Sequence, residues 1–212
     1  MRVRISRRAA VMGVGSLALG VWEVLRARDA AATLWGTAGT VVMVVVAALL
    51  HELGHAVAAW GLGAPIRSLR LDLFGARMEL GGMLSYGQEW MIAMGGPLVN
   101  LLSAVLVLPH CLRAGFDGSG GIFLAASAVL GGVNLLPVQS LDGGRMLHAL
   151  LSLLGGARAG DMALRLTTGL FLGGLWLLSV YALLRVGQML TLFTFSLCLL
   201  FRLVSPETGQ NG

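Results

Sequence analysis

Residues 33–60 are apolar almost without interruption, and the one break that matters is His51-Glu52-Leu53-Gly54-His55. A helix crossing the hydrocarbon core of a bilayer needs about 20 apolar residues, and this run exceeds that. The composition favours a bilayer over a buried soluble core. Hydrophobic residues make up 57% of the chain and charged residues 12%, whereas soluble domains carry about 25% charged residues. So few charges cannot cover a water-facing surface, and the 212 residues read as an integral membrane protein of roughly one domain. All fifteen basic residues are arginines, and they punctuate the apolar runs. The net charge of +5 therefore reflects orientation in a membrane and not nucleic-acid binding. Cys111 and Cys198 form neither a disulfide framework nor a zinc motif.

Other apolar runs cover residues 90–108, 121–136, 162–184 and 187–204, with a weaker one at 9–25 that contains Glu23. The run at 121–136 is short and stops at Pro137. Residues 142–154 are too few to span alone and predict a half-helix or re-entrant segment, and the tail 205–212 is polar. Residues 64–86 differ in kind. They alternate apolar and polar side chains around a central Gly75, the period of a β-hairpin, whose edges lipid cannot satisfy. The expected fold is an all-α membrane protein with about six transmembrane helices and a membrane-associated β-hairpin after the second. Residues 1–32 would form a basic segment and first span, 33–160 a catalytic core, and 161–212 two further spans and a tail.

With six crossings and a cytoplasmic N-terminus, every arginine except Arg26, Arg28, Arg113 and Arg185 falls on the cytoplasmic side. Both termini are then cytoplasmic, in a multi-pass protein of the cell membrane. Ser6-Arg7-Arg8 ahead of Ala30-Ala31-Ala32 also has the look of a twin-arginine signal. A basic cluster before a first span produces the same pattern and suits a multi-span chain better.

His51-Glu52-Leu53-Gly54-His55 matches H-E-x-x-H. Four residues apart on a helix, the two imidazoles face one side and can share a metal. Glu52 adjoins a ligand, where its carboxylate can act as general base toward a water activated by the metal. The motif ends about five residues before the end of its span, roughly 10 Å deep, where two histidines and a glutamate are costly unless they have a function. Catalytic zinc takes three protein ligands, and the residues alone leave the third open. Asp142 stands before Gly143-Gly144, where an aspartate is more often a turn or helix cap. Asp72, Glu79 and Glu23 compete with it.

The H-E-x-x-H span, together with Asn134-Leu135-Leu136-Pro137 and Leu141-Asp142-Gly143 downstream, resembles the site-2 protease family of intramembrane metalloproteases. Gly95-Gly96-Pro97-Leu98-Val99-Asn100 is similar to that family's Gly-Pro-x-x-Asn segment, and the hairpin around Phe74-Gly75 to its membrane-associated β-region. The resemblance covers about residues 45–150. It implies that His51, His55 and Asp142 hold one zinc ion per chain and that Glu52 is the catalytic base. Phe74 and Gly75, in that β-region, are candidates to bind or orient substrate, and Asn134 reads either as a polar clamp between helices or as a group that orients substrate or active-site backbone. Asn100 reads as a polar clamp between helices, and His148 as an interfacial polar residue.

The short chain, without an inserted PDZ domain, looks like the sporulation branch, whose members process a membrane-bound pro-sigma factor. Unlike the best-known form of that branch, this chain is expected to lack a CBS-type regulatory domain after the last span. The implied function is a zinc-dependent intramembrane endopeptidase, cutting a membrane-bound protein such as a pro-sigma or anti-sigma factor. Its partners would be that substrate, the lipid bilayer and a regulatory membrane partner of unknown identity, with no nucleic acid. The alternative is a non-proteolytic metal-binding membrane protein, which would lack the base or close the fourth ligand position.

Overall fold

A computed structural model of the protein describes residues 2–5, 30–72 and 75–186. In chain order these form strand β1 (Arg2–Ile5), helix α1 (Ala30–Gly61), strands β2 (Ile66–Asp72) and β3 (Gly75–Leu80), and helices α2 (Tyr86–Ala114), α3 (Ser119–Asn134), α4 (Asp142–Gly155) and α5 (Ala157–Val186).

The helix boundaries follow from local chemistry. Ser85 caps α2 in a reciprocal capping box with Gln88, which satisfies two of the orphan N–H groups of the first turn. Gly115, at φ 95°, ends the same helix in a conformation that a side chain would resist. Pro137 stops the chain from continuing α3, and three tight turns through Leu136, Val138 and Leu141 carry it to α4. Asp142 is thus the first residue of α4, where the helix dipole favours a carboxylate.

Helices α1 and α2 pack against each other, and α3 against both; α4 lies on α2, and α5 on α4. Helices α1 and α2 approach closely at Gly54 and Gly95, where an added Cβ on either residue would run into the other's backbone carbonyl. Small residues at such a crossing are how helices associate where no hydrophobic force drives them together.

The distribution of polarity is inverted relative to a soluble protein. His51, His55, Asn100, Ser127, Thr168 and Ser179 are buried, while Leu106, Leu154, Leu170 and Leu184 are exposed. An apolar exterior around polar groups is stable only in lipid. Trp35 and Trp60, both exposed, bracket α1. They stand about 37 Å apart along the axis, a spacing suited to aromatic anchors at the two interfaces. This is a membrane protein.

The structure corrects the expected class. Among the described residues three helices, not six, are long and apolar enough to cross a membrane: Trp35–Gly61, Tyr86–Ala114 and Ala157–Tyr181. The run at 121–136 yields α3, which at 16 residues is too short. The expected spans at 9–25 and 187–204 lie outside the described residues. Nor is the protein all-α with a lone hairpin. Its strands form one three-stranded sheet in the order β1-β2-β3, with β1 parallel to β2 and β2 antiparallel to β3. The physical reason is the cost of a bare strand edge, which the N-terminal strand removes from one side of β2. Arg2-Val3-Arg4-Ile5 does alternate with period two, but its arginines read as the flank of a span.

Candidate metal centre

Helix α1 places His51 and His55 one turn apart on the face turned toward α2, and both are buried. Their rings meet edge to face with centroids 4.8 Å apart. Asp142 enters from the start of α4, also buried, and its Oδ2 lies 3.0 Å from Nε2 of His51 and 3.2 Å from Nε2 of His55. The two Nε2 atoms are 3.2 Å from each other. Two nitrogens and one oxygen thus converge on one point from residues as far apart in sequence as 51 and 142.

The spacing fits a four-coordinate metal. Zinc holds nitrogen and oxygen ligands at about 2.0–2.1 Å, which sets neighbouring ligand atoms about 3.3 Å apart at tetrahedral angles. The three observed separations lie within a few tenths of an ångström of that value. The group contains three donors, His51, His55 and Asp142, and among the described residues no fourth His, Cys, Asp or Glu joins it. Three protein ligands with an open fourth position distinguish a catalytic zinc site from a structural one.

Surrounding groups hold the donors in place. Nδ1 of His55 donates to the backbone carbonyl of Ile92 at 2.7 Å, which leaves the Nε2 lone pair free for a metal. The Gly96 N–H also approaches that Nδ1 (3.3 Å), but the shorter contact decides its role as donor. On Asp142, Oδ2 faces the histidines while Oδ1 lies 3.7 Å from the half-exposed Arg145 guanidinium. Asp142 is buried with its Oδ2 turned toward both histidines, and as a carboxylate it is the anionic donor of the three. Gly143 and Gly144 let the start of α4 sit directly on the carbonyls of Leu135 and Val138, where a Cβ would collide. Gly96 lies against the Nε2 atoms of both histidines, so the space for a metal is kept open by a missing side chain.

Of the other residues singled out in the sequence, Glu52 is half-buried beside His51. Asn134 bonds its own helix, its amide donating to the Leu130 carbonyl at 3.0 Å. Gly75 opens β3, paired with Asp72 in the sheet, and Phe74 lies outside the described residues. His148 pairs with Asp161 at 3.1 Å, away from the cluster. The sequence did not single out Gly96 as a spacer or Ile92 as an acceptor, and it assigned Asn100 to helix packing. Asn100 is in fact buried against His51. Its four-residue distance from Gly96, the spacing of the two histidines, was the one signal available.

A membrane protein with a buried two-histidine, one-aspartate centre is the class that fold and site define. No family model matches the chain. It is 35% identical over 166 residues to a Mycobacterium tuberculosis protein carrying the zinc metalloprotease name Rip3, an alignment covering 66% of this chain and 42% of that protein. It is 30% identical over 115 residues to a zinc metalloprotease of Methanocaldococcus jannaschii, covering 52% of this chain and 34% of the relative. The chain therefore spans less than half the length of either. Its fold is similar to that of a solved site-2 protease from Methanocaldococcus jannaschii, with a TM-score of 0.62 at 22% identity, over 95% of this chain and 88% of the other. In sequence the chain is similar to zinc metalloproteases, and in fold to a site-2 protease.

Proposed function

We propose that this protein is a zinc-dependent endopeptidase that cuts a membrane-bound protein substrate within or beside its span. The observation that carries the proposal is the convergence of three buried donors at zinc spacing, two of them on a membrane helix, with a glutamate beside the first. Bound zinc supplies an acidified water and a Lewis acid for the scissile carbonyl.

The remaining chemistry falls to the protein's own residues. His51, His55 and Asp142 hold the ion. Glu52 accepts a proton from the attacking water and returns it to the leaving amine. A helical substrate must unwind before its carbonyls become available. Strand β3, which carries Gly75, pairs with β2 on one side, and among the described residues nothing pairs with its other edge. An unwound substrate can add there as a further strand, each satisfying the other's free N–H and C=O groups. Asn134, at the end of α3, orients the substrate or the loop that leads to Asp142.

The resemblance to the sporulation branch supports a pro-sigma or anti-sigma factor as the form of substrate. Arginine asymmetry supports cytoplasmic chain ends.

Co-expression of the protein with tagged membrane-bound candidates, beside its Glu52→Gln variant, tests the reading. Glu52→Gln should keep zinc and lose cleavage by about 10²- to 10⁴-fold, the usual contribution of a positioned base. Equal cleavage by the two proteins would overturn the mechanism.

A further inference from the structure

Asn100 is fully buried on α2, with its side-chain amide 3.4 Å from Nδ1 of His51. We infer that Asn100 is a positioning residue for the metal: its Oδ1 accepts the Nδ1–H of His51 and holds that imidazole in the tautomer whose Nε2 lone pair faces the ion. The inference rests on the zinc-site reading above and extends it to a residue outside the ligand set.

A neutral imidazole carries one N–H and one lone pair. Nε2 of His51 points at Oδ2 of Asp142 and Nε2 of His55, so Nε2 must be the ligand atom. Its hydrogen then sits on Nδ1, and whatever lies against Nδ1 must accept. An amide nitrogen cannot accept, and an amide oxygen can. The two are interchanged by a half-turn about the last side-chain bond. With Nδ2 toward His51, Oδ1 of Asn100 is buried with no donor. The half-turn gives that oxygen the His51 N–H and meets the tautomer requirement in the same step. His55 reaches the same state through the Ile92 carbonyl.

Ile92, Gly96 and Asn100 stand four residues apart on α2, so they lie along one face. That face supplies an acceptor for His55, a gap for the ion and an acceptor for His51, in the order needed to match two histidines one turn apart on α1. The four-residue interval from Gly96 to Asn100 in Gly96-Pro97-Leu98-Val99-Asn100 therefore has a chemical reason. A helix clamp of ordinary kind would impose no such match.

The test is zinc affinity of the full chain in detergent, measured by chelator competition, with cobalt(II) spectra as a report on coordination. Asn100→Leu removes both polar atoms while keeping the branched shape and the number of heavy atoms. It should weaken zinc about 10- to 100-fold, the usual effect of losing an outer partner of a ligand. Asn100→Asp offers only acceptors. It should bind zinc at least as tightly as the parent and keep the parent's cobalt spectrum. Thermal unfolding of the metal-free proteins separates a lost ligand partner from a lost fold. Should the leucine variant fail to fold, the aspartate variant decides alone. Zinc binding by Asn100→Leu equal to the parent's, or by Asn100→Asp weaker than the parent's in a folded protein, would overturn the inference. A parent protein that takes up no zinc would remove the metal-site reading itself, a result distinct from a parent that binds zinc while Asn100→Leu matches it.

Discussion

Gly96 on α2 faces the Nε2 atoms of both His55 and His51, so closely that even a methyl group there would overlap the imidazoles. The metal site is therefore as much a product of an absent side chain on one helix as of two present ones on another. Gly96→Ala should cut zinc content per chain well below the parent's while all three ligands remain. Alanine favours a helix over glycine by about 1 kcal/mol, so a weaker helix would not explain such a loss. Gly132→Ala, where an added Cβ meets nothing within 4 Å, serves as the control. Full zinc occupancy in Gly96→Ala would show that the pocket is looser than the backbone spacing implies.

Asp142→Ala should lower zinc occupancy together with activity, because it removes one of only three donors in the group. Arg145 touches the other carboxylate oxygen at 3.7 Å and is half exposed. Arg145→Gln should therefore cost far less zinc than Asp142→Ala. Metal analysis of the purified variants decides this, and unchanged zinc in Asp142→Ala would send the search for a third ligand to Glu79.

The outer edge of β3 should be the place where substrate adds. Cysteines placed one at a time through residues 75–80, in the Glu52→Gln background, should trap substrate at alternating positions, as side chains do along a strand. Leu71→Pro is not a clean probe of this edge. Leu71 pairs with Ala76 on one side and Ile5 on the other, so a proline there breaks the sheet from within. Bound substrate with no crosslink anywhere in that stretch would rule out strand addition.

Strand β1 pairs with β2, which begins a few residues after α1 ends at Gly61, so Arg2–Ile5 lies near that end of α1. Arg2 and Arg4 join Arg67, Arg70 and Arg77 in one sheet, a basic concentration expected on the cytoplasmic side. Single cysteines near each chain end, in a background lacking Cys111 and Cys198, should resist an impermeant label added outside intact cells. Labelling at the N-terminal site would invert the orientation. Labelling at the C-terminal site alone would place the two ends on opposite sides.

Much of this protein could be read from residue order because lipid imposes a local rule. A spanning helix must be apolar along its whole length, so the runs that became α1, α2 and α5 were visible without any knowledge of their neighbours. The same locality made His51 and His55 a pair, since their spacing on one helix already sets both rings on one face. What depends on meeting a distant segment was not legible. The pairing of Arg2–Ile5 with β2 joins residues more than sixty apart, and it turned an expected hairpin into a three-stranded sheet. The choice of Asp142 over other carboxylates came only through the family resemblance. Its Asp-Gly-Gly context describes a helix start just as well as a metal ligand.

The sequence by itself determined a chain that must live in a bilayer, with a histidine pair buried in one of its spans. Only the tertiary structure decided what completes that pair. Which groups meet His51 and His55 is set by where α1 and α2 cross, and the crossing is set by backbone contact at Gly54 and Gly95. That contact brings Ile92, Gly96 and Asn100 to the histidines, and α4, packed on α2, brings Asp142. Beyond the four-residue spacing of Ile92, Gly96 and Asn100, these contacts carry no periodic mark in the chain, because each depends on how two helices lie in space.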